Sequence, residues 1–489
     1  MATLAGEARN LIDGRLVEAS NGATFENINP ATEESIGVCA DGTHQDMEDA
    51  LAAARRAFDE TSWSTDLDFR IRCLEQFNQA LDEAREELRP IVVAEAGAPI
   101  ALTYGFQLDN YIDAMPYWST LAKEYEYETT MRDITFMGQP QARLMRREPV
   151  GVVGAITPWN VPVYLNLAKI GPALAAGNTV VLKPAPDTPW SATLLGRLIA
   201  EKTDIPPGVI NIVASADHSV GAMLSADARV DMVTFTGSTA TGRRVMEAAA
   251  PTVKKVFLEL GGKSAAILLE DIEIEKAVPM VTIAVCTHAG QGCALQTRVL
   301  LPRSRYEEGV EKLAEAMSKI PYGDPTDPGK MMGPQVSQRQ QERVLGYIEK
   351  GRQEGARVVT GGGRPAHLEK GFFVEPTLLA DVAPDSTVAQ EEIFGPVLCA
   401  IPYDSEEDAI RIANESIFGL SGGVWSGDDE HALQVARRIR TGTLSVNGAQ
   451  WFDVDTPFGG YGQSGVGREN GLAGFEEYLE TKVISLPKR

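Results

Sequence analysis

Two side chains in the middle of the sequence are of the types that covalent catalysis needs: the acid Glu259, in LELGGKS, and the thiol Cys293, in GQGC. A cysteine attacks as its thiolate, so a nucleophilic sulfur has to be stabilised and open to a substrate. Cys293 follows Gly290, Gln291 and Gly292, and glycines let backbone or ligand come close where a Cβ would obstruct. The other cysteines, Cys39, Cys73, Cys286 and Cys399, sit in GVCA, IRCL, AVCT and VLCA and read as buried small hydrophobes. A plain loop cysteine is the competing account of Cys293. Glu259 ends the apolar run KVFLEL, an odd place for a charge without a partner or a task. It is either a buried structural carboxylate or a general base raised towards neutrality by burial.

Elements that must position these groups are legible on either side. From Val150 the chain alternates strand and helix: VGVVGAI, TVVL, VINIV, MVTF and KVFLEL, each run followed by helical or turn sequence. Apolar β-branched strands between helices predict a parallel sheet covered on both faces. Ligands bind such sheets at the carboxyl ends of the strands. Those ends hold Ile156, Thr157, Pro158 and Trp159 after the first strand, Lys183 after the second, Phe235, Gly237 and Ser238 after the fourth, and Leu260 and Gly261 after the fifth. FTGSTATG is not the G-x-G-x-x-G fingerprint, so a different phosphate geometry is expected there. Ser238 opens the next helix, as a phosphate donor or as a simple N-cap. In ITPWNVP, Asn160 either presents its amide to the cleft or steadies a turn. Lys183, in LKPAPDTP, either meets a ribose or phosphate or is a solvated surface lysine.

Before this region, Met47, Leu51, Ala54 and Phe58 recur at helical spacing, as do Phe69, Leu74, Phe77 and Leu81 further on. Between Thr130 and Val150 the pattern turns to short β-like runs around Gly138-Gln139-Pro140, a hairpin that needs something to pack on. After Gly262 a less regular alternation, including an apolar helix from Ile274 to Val285 and the strand TRVLLP, predicts a second α/β unit to about Gly460.

At 489 residues the chain exceeds the single-core limit of about 250 to 300, so at least two domains are expected. A net charge of −23 disfavours nucleic acid and anionic membrane as partners. No apolar stretch approaches the length of a membrane span, and the N-terminus lacks the basic and apolar regions of a secretory signal. Five cysteines without a C-x-x-C pair argue for a reducing compartment, and a cytoplasmic protein is expected. None of the five histidines has ligand-like spacing, so no metal is expected; His288 lies near Cys293 without a pairing pattern.

LELGGKS, GQGC and EEIFGPV, in that order, resemble the motifs of the aldehyde dehydrogenase superfamily of NAD(P)-dependent oxidoreductases. The resemblance runs from NPAT near Asn29 to GYGQSGVGRENG, ending at Gly471. It implies that FTGST holds the pyrophosphate and that Lys183 meets the adenosine ribose. It places Trp159 and Phe394 around the nicotinamide, and Glu392 on its ribose, whereas by themselves Phe394 and Glu392 read as a core aromatic beside a surface acid. It puts Asn160 in the oxyanion hole with the backbone N–H of Cys293, and Lys169 near the base, with proton relay as its expected task. It also implies that the ribbon around 129–149 and a C-terminal strand near Thr481 to Leu486 serve oligomerisation. Where the family often has a glutamate three positions after the lysine, this chain has Pro186, which leaves NAD against NADP open; NAD is expected.

The fold expected is α/β, with two doubly wound parallel-sheet domains and a small β-ribbon. Residues 1–128 and 150–260 would bind the dinucleotide, 261–460 would carry the nucleophile, and 129–149 with 472–489 would join subunits of a dimer or tetramer. The reaction expected is oxidation of an aldehyde to its acid through a thiohemiacetal and a thioester on Cys293. Gln450, Trp451 and Phe452 suggest an apolar wall suited to an aromatic or terpenoid aldehyde, unless they are simply core. Two rivals are a coenzyme A-acylating semialdehyde dehydrogenase, against which Glu259 speaks, and a non-catalytic protein on the same fold.

Overall fold

The structure is a computed structural model that describes residues 4–488. Its centre is an eight-stranded sheet in which Ile210–Ile212, Thr179–Lys183, Val152–Ile156, Met232–Thr236 and Lys255–Glu259 lie side by side in parallel. These are the β-branched runs that the sequence marks as strands, and they are buried almost throughout. Asn10–Ile12 closes one edge antiparallel, with Arg15–Val17 outside it, and Gly465–Val466 pairs antiparallel with Leu258 and Glu259 at the other. Strand order reverses between Val152–Ile156 and Met232–Thr236, and a crevice opens at such a switch point.

Helix Pro162–Ala176 is buried on every side, as its nearly uninterrupted apolar sequence requires. Pro162 sits in its first turn, where no N–H is needed, and Gly177 ends it at φ +96°. The amphipathic helices His44–Glu60 and Leu67–Glu83 cover the core with the residues predicted to face it, Met47, Leu51, Leu74, Phe77 and Leu81 among them.

The second sheet orders Arg357–Thr360, Thr377–Ala380, Val397–Tyr403, Gln296–Pro302, Ser264–Leu268, Gly422–Trp425 and Ser445–Val446, parallel except for the antiparallel first strand. Its own apolar clusters flank it on both faces. A third, antiparallel sheet joins Glu128–Phe136, Gln139–Pro149 and Leu479–Pro487. The hairpin turns at Met137 and Gly138, both at positive φ, one residue earlier than Gly138-Gln139-Pro140 suggested. That conformation matches the twist of the strands on either side. No helix among the described residues is long and apolar enough to cross a membrane.

Candidate active site

Register aligns the strand ends. Lys183 faces Ile156, Ile156 faces Phe235, and one residue on, Thr236 faces Glu259. Lys183, Ile156, Phe235 and Glu259 therefore form one line along the carboxyl edge, although they are far apart in the chain. Thr157 follows, its N–H donating to the Lys183 carbonyl (3.2 Å) and its hydroxyl paired with Asn166 (2.6 Å). Ser238 caps helix Thr239–Ala249, accepting from the Thr241 N–H, and remains exposed. A Cβ on Gly237 would stand 2.5 Å from the Phe235 ring, so only glycine lets the turn lie on that ring.

Across the crevice, Glu392 reaches from the second unit to the LELGG turn. Its Oε1 accepts from the Gly262 N–H (3.0 Å), and a Cβ on Gly261 would lie 2.4 Å from Oε2. Burial pushes Glu392 up to about 7, against the opposing pull of the Gly262 N–H, Arg343 and Lys263. Phe394, at φ +63°, meets Trp159 edge to face with ring centroids 5.4 Å apart. An aromatic side chain in the left-handed region is strained, and its neighbours hold it there: the Phe394 carbonyl accepts from Gln340 (2.8 Å).

Cys293 is half-buried in the loop before strand Gln296–Pro302, and its carbonyl lies 2.5 Å from where a Cβ of Gly262 would be. The GQGC loop is thus pressed against the turn that follows Glu259. Asn160 is buried and donates its side-chain amide to the Gln291 carbonyl (3.0 Å), tying the first unit to the same loop. One amide proton is used in that bond, and among the described residues the second has no acceptor. Desolvation, then the carboxylates of Glu392, Glu259 and Glu469, push the Cys293 thiol above its ordinary range. This departs from the stabilised thiolate that the sequence suggested. The cause is burial first, and then a crowd of acids that no local motif reveals.

Glu259 is 2 % exposed, and neither of its carboxylate oxygens has a hydrogen-bond partner among the described residues. Burial and the nearby Glu469 raise it well above the usual carboxylate range, while Lys169 and Arg468 pull the other way. Lys169 is fully buried, paired with Glu469 at 2.6 Å and set over the Phe257 ring at 4.4 Å. Glu469 escaped the sequence reading, although it lies in GRENG, within the glycine-rich stretch already singled out. A charge among glycines was the available signal. Gly459 also matters: a Cβ there would be 2.8 Å from Glu259 Oε1.

His288 is buried, neither ring nitrogen has a hydrogen-bond partner among the described residues, and desolvation lowers it to about 4, so it is neutral and makes no pair with Cys293. Trp451 stacks on Phe458 (5.7 Å, 3°) and meets Phe452, which in turn packs on Tyr164 (5.7 Å). These rings form a continuous aromatic wall. Among the described residues no group of three or more metal-ligating side chains stands together.

A two-unit α/β oxidoreductase with a thiol, an unsatisfied carboxylate and a strand-end crevice is the class that this arrangement defines. The aldehyde dehydrogenase family model matches residues 16–484. The 3-succinoylsemialdehyde-pyridine dehydrogenase of a Pseudomonas species is 44% identical over 97% of both chains. A crystal structure of Mycobacterium tuberculosis aldehyde dehydrogenase complexed with NAD+ superposes with a TM-score of 0.94 at 44% identity, covering 99% of each chain. A mutant of aldehyde dehydrogenase C from Pseudomonas syringae, complexed with NAD+ and octanal, gives 0.91 at 39% identity, covering 98% of this chain and 96% of that one. The chain belongs to the aldehyde dehydrogenase family.

Proposed function

We propose that the protein oxidises an apolar aldehyde, aromatic or terpenoid, to the carboxylic acid with NAD, through covalent capture by Cys293. The observation that carries this reading is Glu259, a buried carboxylate with no donor on either oxygen, beside the turn that touches the Cys293 backbone.

The residues present fit a dinucleotide. The N-terminal turn of helix Thr239–Ala249 is open beside the exposed Ser238, and among the described residues Lys183 stands at a strand end with no hydrogen-bond acceptor. Ile156, Thr157, Pro158, Phe235, Ser238 and Leu260 would line the groove, and Trp159, Glu392 and Phe394 its nicotinamide end. When bound, NAD takes up the hydride that leaves the substrate carbon.

The chain's own groups do the rest. Cys293 gives up its proton to the carboxylate cluster and its sulfur bonds to the carbonyl carbon. The oxygen becomes an alkoxide, held by the free amide proton of Asn160 and the Cys293 N–H. After oxidation the thioester is attacked by water whose proton passes to Glu259, the C–S bond breaks, and the acid leaves with the thiol restored. Lys169 and Glu469 carry that proton onward. Each turnover consumes one aldehyde, one NAD and one water.

The first sheet, with residues 1–128 and 150–260, is assigned to the dinucleotide, and residues 261–460 to the nucleophile. Residues 129–149 and 472–489 are assigned to subunit contacts in a dimer or tetramer in the cytoplasm. Supporting this, Leu479–Pro487 is a free edge strand with Val483, Ile484 and Leu486 exposed, and Phe136 and Met137 project from the hairpin tip. The test is NADH formation from a panel of aliphatic, aromatic and terpenoid aldehydes, with and without coenzyme A, for the parent and Cys293→Ala. Turnover that needs coenzyme A, or that survives Cys293→Ala, overturns the proposal.

A further inference from the structure

The loop that leads from helix Ile274–Cys286 to Cys293 is strained. His288 (φ +49°) and Ala289 (φ +55°) both sit in the left-handed region, and Gly290 (φ +72°) follows them there. Non-glycine residues keep that conformation only where the surroundings over-determine it. The Phe394 turn is strained in the same way, at φ +63°. The two turns lie on each other, since a Cβ on Gly290 would overlap the Gly395 carbonyl.

One segment holds both. The Gln335 side-chain amide donates to the Ala289 carbonyl (2.9 Å). The Gln291 side-chain amide donates to the carbonyls of His288 (3.1 Å) and Pro334 (3.2 Å), and its Oε1 accepts from the Val336 N–H (2.9 Å). In the first turn of helix Gln338–Gln353, the Gln340 amide donates to the Phe394 carbonyl (2.8 Å). Residues 334–340 therefore touch both the loop that delivers the nucleophile and the turn that carries Glu392 and Phe394. The segment is itself fixed from both units. The Gln335 N–H donates to the Phe372 carbonyl (2.9 Å) and the Gln341 amide to the Phe373 carbonyl (2.7 Å). Pro334 packs on Gly97, which closes helix Arg85–Ala96 and where a Cβ would stand 2.7 Å from the Pro334 Cγ. All the side chains that reach the strained turns are neutral amides, so this hold does not titrate.

We propose that Gln335 and Gln340 are positioning residues: through the segment 334–340 they set the Cys293 loop in register with the Phe394 turn, and so align the substrate held on sulfur with the nicotinamide that takes its hydride. The inference rests on the site proposed above and deepens it. Neither glutamine touches the reacting atoms. Misplacing a reacting group by about 1 Å can nevertheless cost about a hundredfold in rate.

Rapid mixing of NAD with an aldehyde carrying hydrogen or deuterium on its carbonyl carbon, for the parent, Gln335→Met and Gln340→Met, tests this. Each substitution is expected to slow the burst of NADH by roughly 10- to 100-fold, by the same factor at every pH, and to raise its isotope effect. Calorimetric NAD affinity and the alkylation of Cys293 by iodoacetamide, neither of which needs that alignment, should stay as in the parent. Gln335→Met keeps the length of the side chain and, because Oε1 has no partner among the described residues, removes only the bond to Ala289. Gln340 is half-buried and outside the loop, so Gln340→Met decides the matter if the first variant does not fold. A lowered melting temperature with burst and isotope effect kept, or a burst, NAD affinity and alkylation that all fall together, overturns the proposal and leaves aldehyde oxidation standing. A parent that gives no burst overturns both.

Discussion

Glu259→Gln separates the two halves of the proposed cycle. The substitution keeps the side chain's shape and, because neither oxygen accepts a hydrogen bond, breaks none in the resting structure. An amide N–H left unpaired at a site 2 % exposed costs about 1–3 kcal/mol. Loss of a carboxylate that Glu469 repels offsets part of this, so the fold is expected to persist. Removing a general base costs about 10² to 10⁴ in rate, or about 3 to 5 kcal/mol of transition-state stabilisation. That loss should fall on thioester hydrolysis alone. Rapid mixing with aldehyde and NAD should then show a burst of about one NADH per active site, followed by a steady rate lower by that factor. Mass spectrometry of the quenched protein should find the acyl group on Cys293. The parent's steady rate should climb as pH rises towards the elevated pKa of Glu259, because only the ionised form takes a proton. A variant with an unchanged steady rate, or one whose burst slows as much as its turnover, would refute the assignment.

Four further outcomes follow from the same geometry. Asn160→Ala removes the proposed oxyanion donor and the tie to Gln291, and should slow the burst itself by about 10² to 10³, read by the same rapid mixing. Gly459→Ala, at φ +152° with its Cβ 2.8 Å from Glu259 Oε1, should depress hydrolysis more than acylation and lower the melting temperature. Lys183, lowered to about 8 by burial against the pull of Asp187, Asp41 and Asp217, is charged below that pH, so calorimetric NAD affinity should fall as pH rises through about 8. Cys293, raised by burial and by Glu392, Glu259 and Glu469, should be alkylated by iodoacetamide ever faster as pH increases, without a plateau near neutrality; Glu469→Gln should shift that rise to lower pH.

The first sheet was legible because its central strands are short apolar runs, most of them rich in β-branched residues and bounded by turn signals, and parallel strands buried on both faces need such runs. Strand-end motifs then located Lys183, Trp159, Asn160 and Glu259 without any knowledge of register. The edge strands Asn10–Ile12, Arg15–Val17 and Gly465–Val466 were not legible, since two or three residues are too few to show a period. Nor were the pairings that set the site's electrostatics. Lys169 and Glu469 lie 300 positions apart, and Asn160 and Gln291 lie 131 apart. Local pattern carries no record of such contacts, which explains why Cys293 read as an activated thiolate when its surroundings hold the proton on.

Two equally buried glutamates of this chain show what distinguishes a structural acid from a reactive one. Glu95 accepts from the Asn27 amide (2.9 Å) and the N–H groups of Trp190 (3.0 Å) and Ser191 (2.7 Å). Those donors hold it to about 7 despite full burial. Glu259 has no donor on either oxygen among the described residues, and burial together with the charge of Glu469 raises it well above the usual carboxylate range. Leaving a buried carboxylate unsatisfied destabilises the fold, so a purely structural role would have favoured the first arrangement. Donors would also tie up the lone pairs that must accept a proton and would lower the basicity needed to take it from water. The missing hydrogen bonds at Glu259 are therefore what would keep it usable as the base of the proposed cycle, with the buried Lys169–Glu469 pair as the proposed exit for the proton.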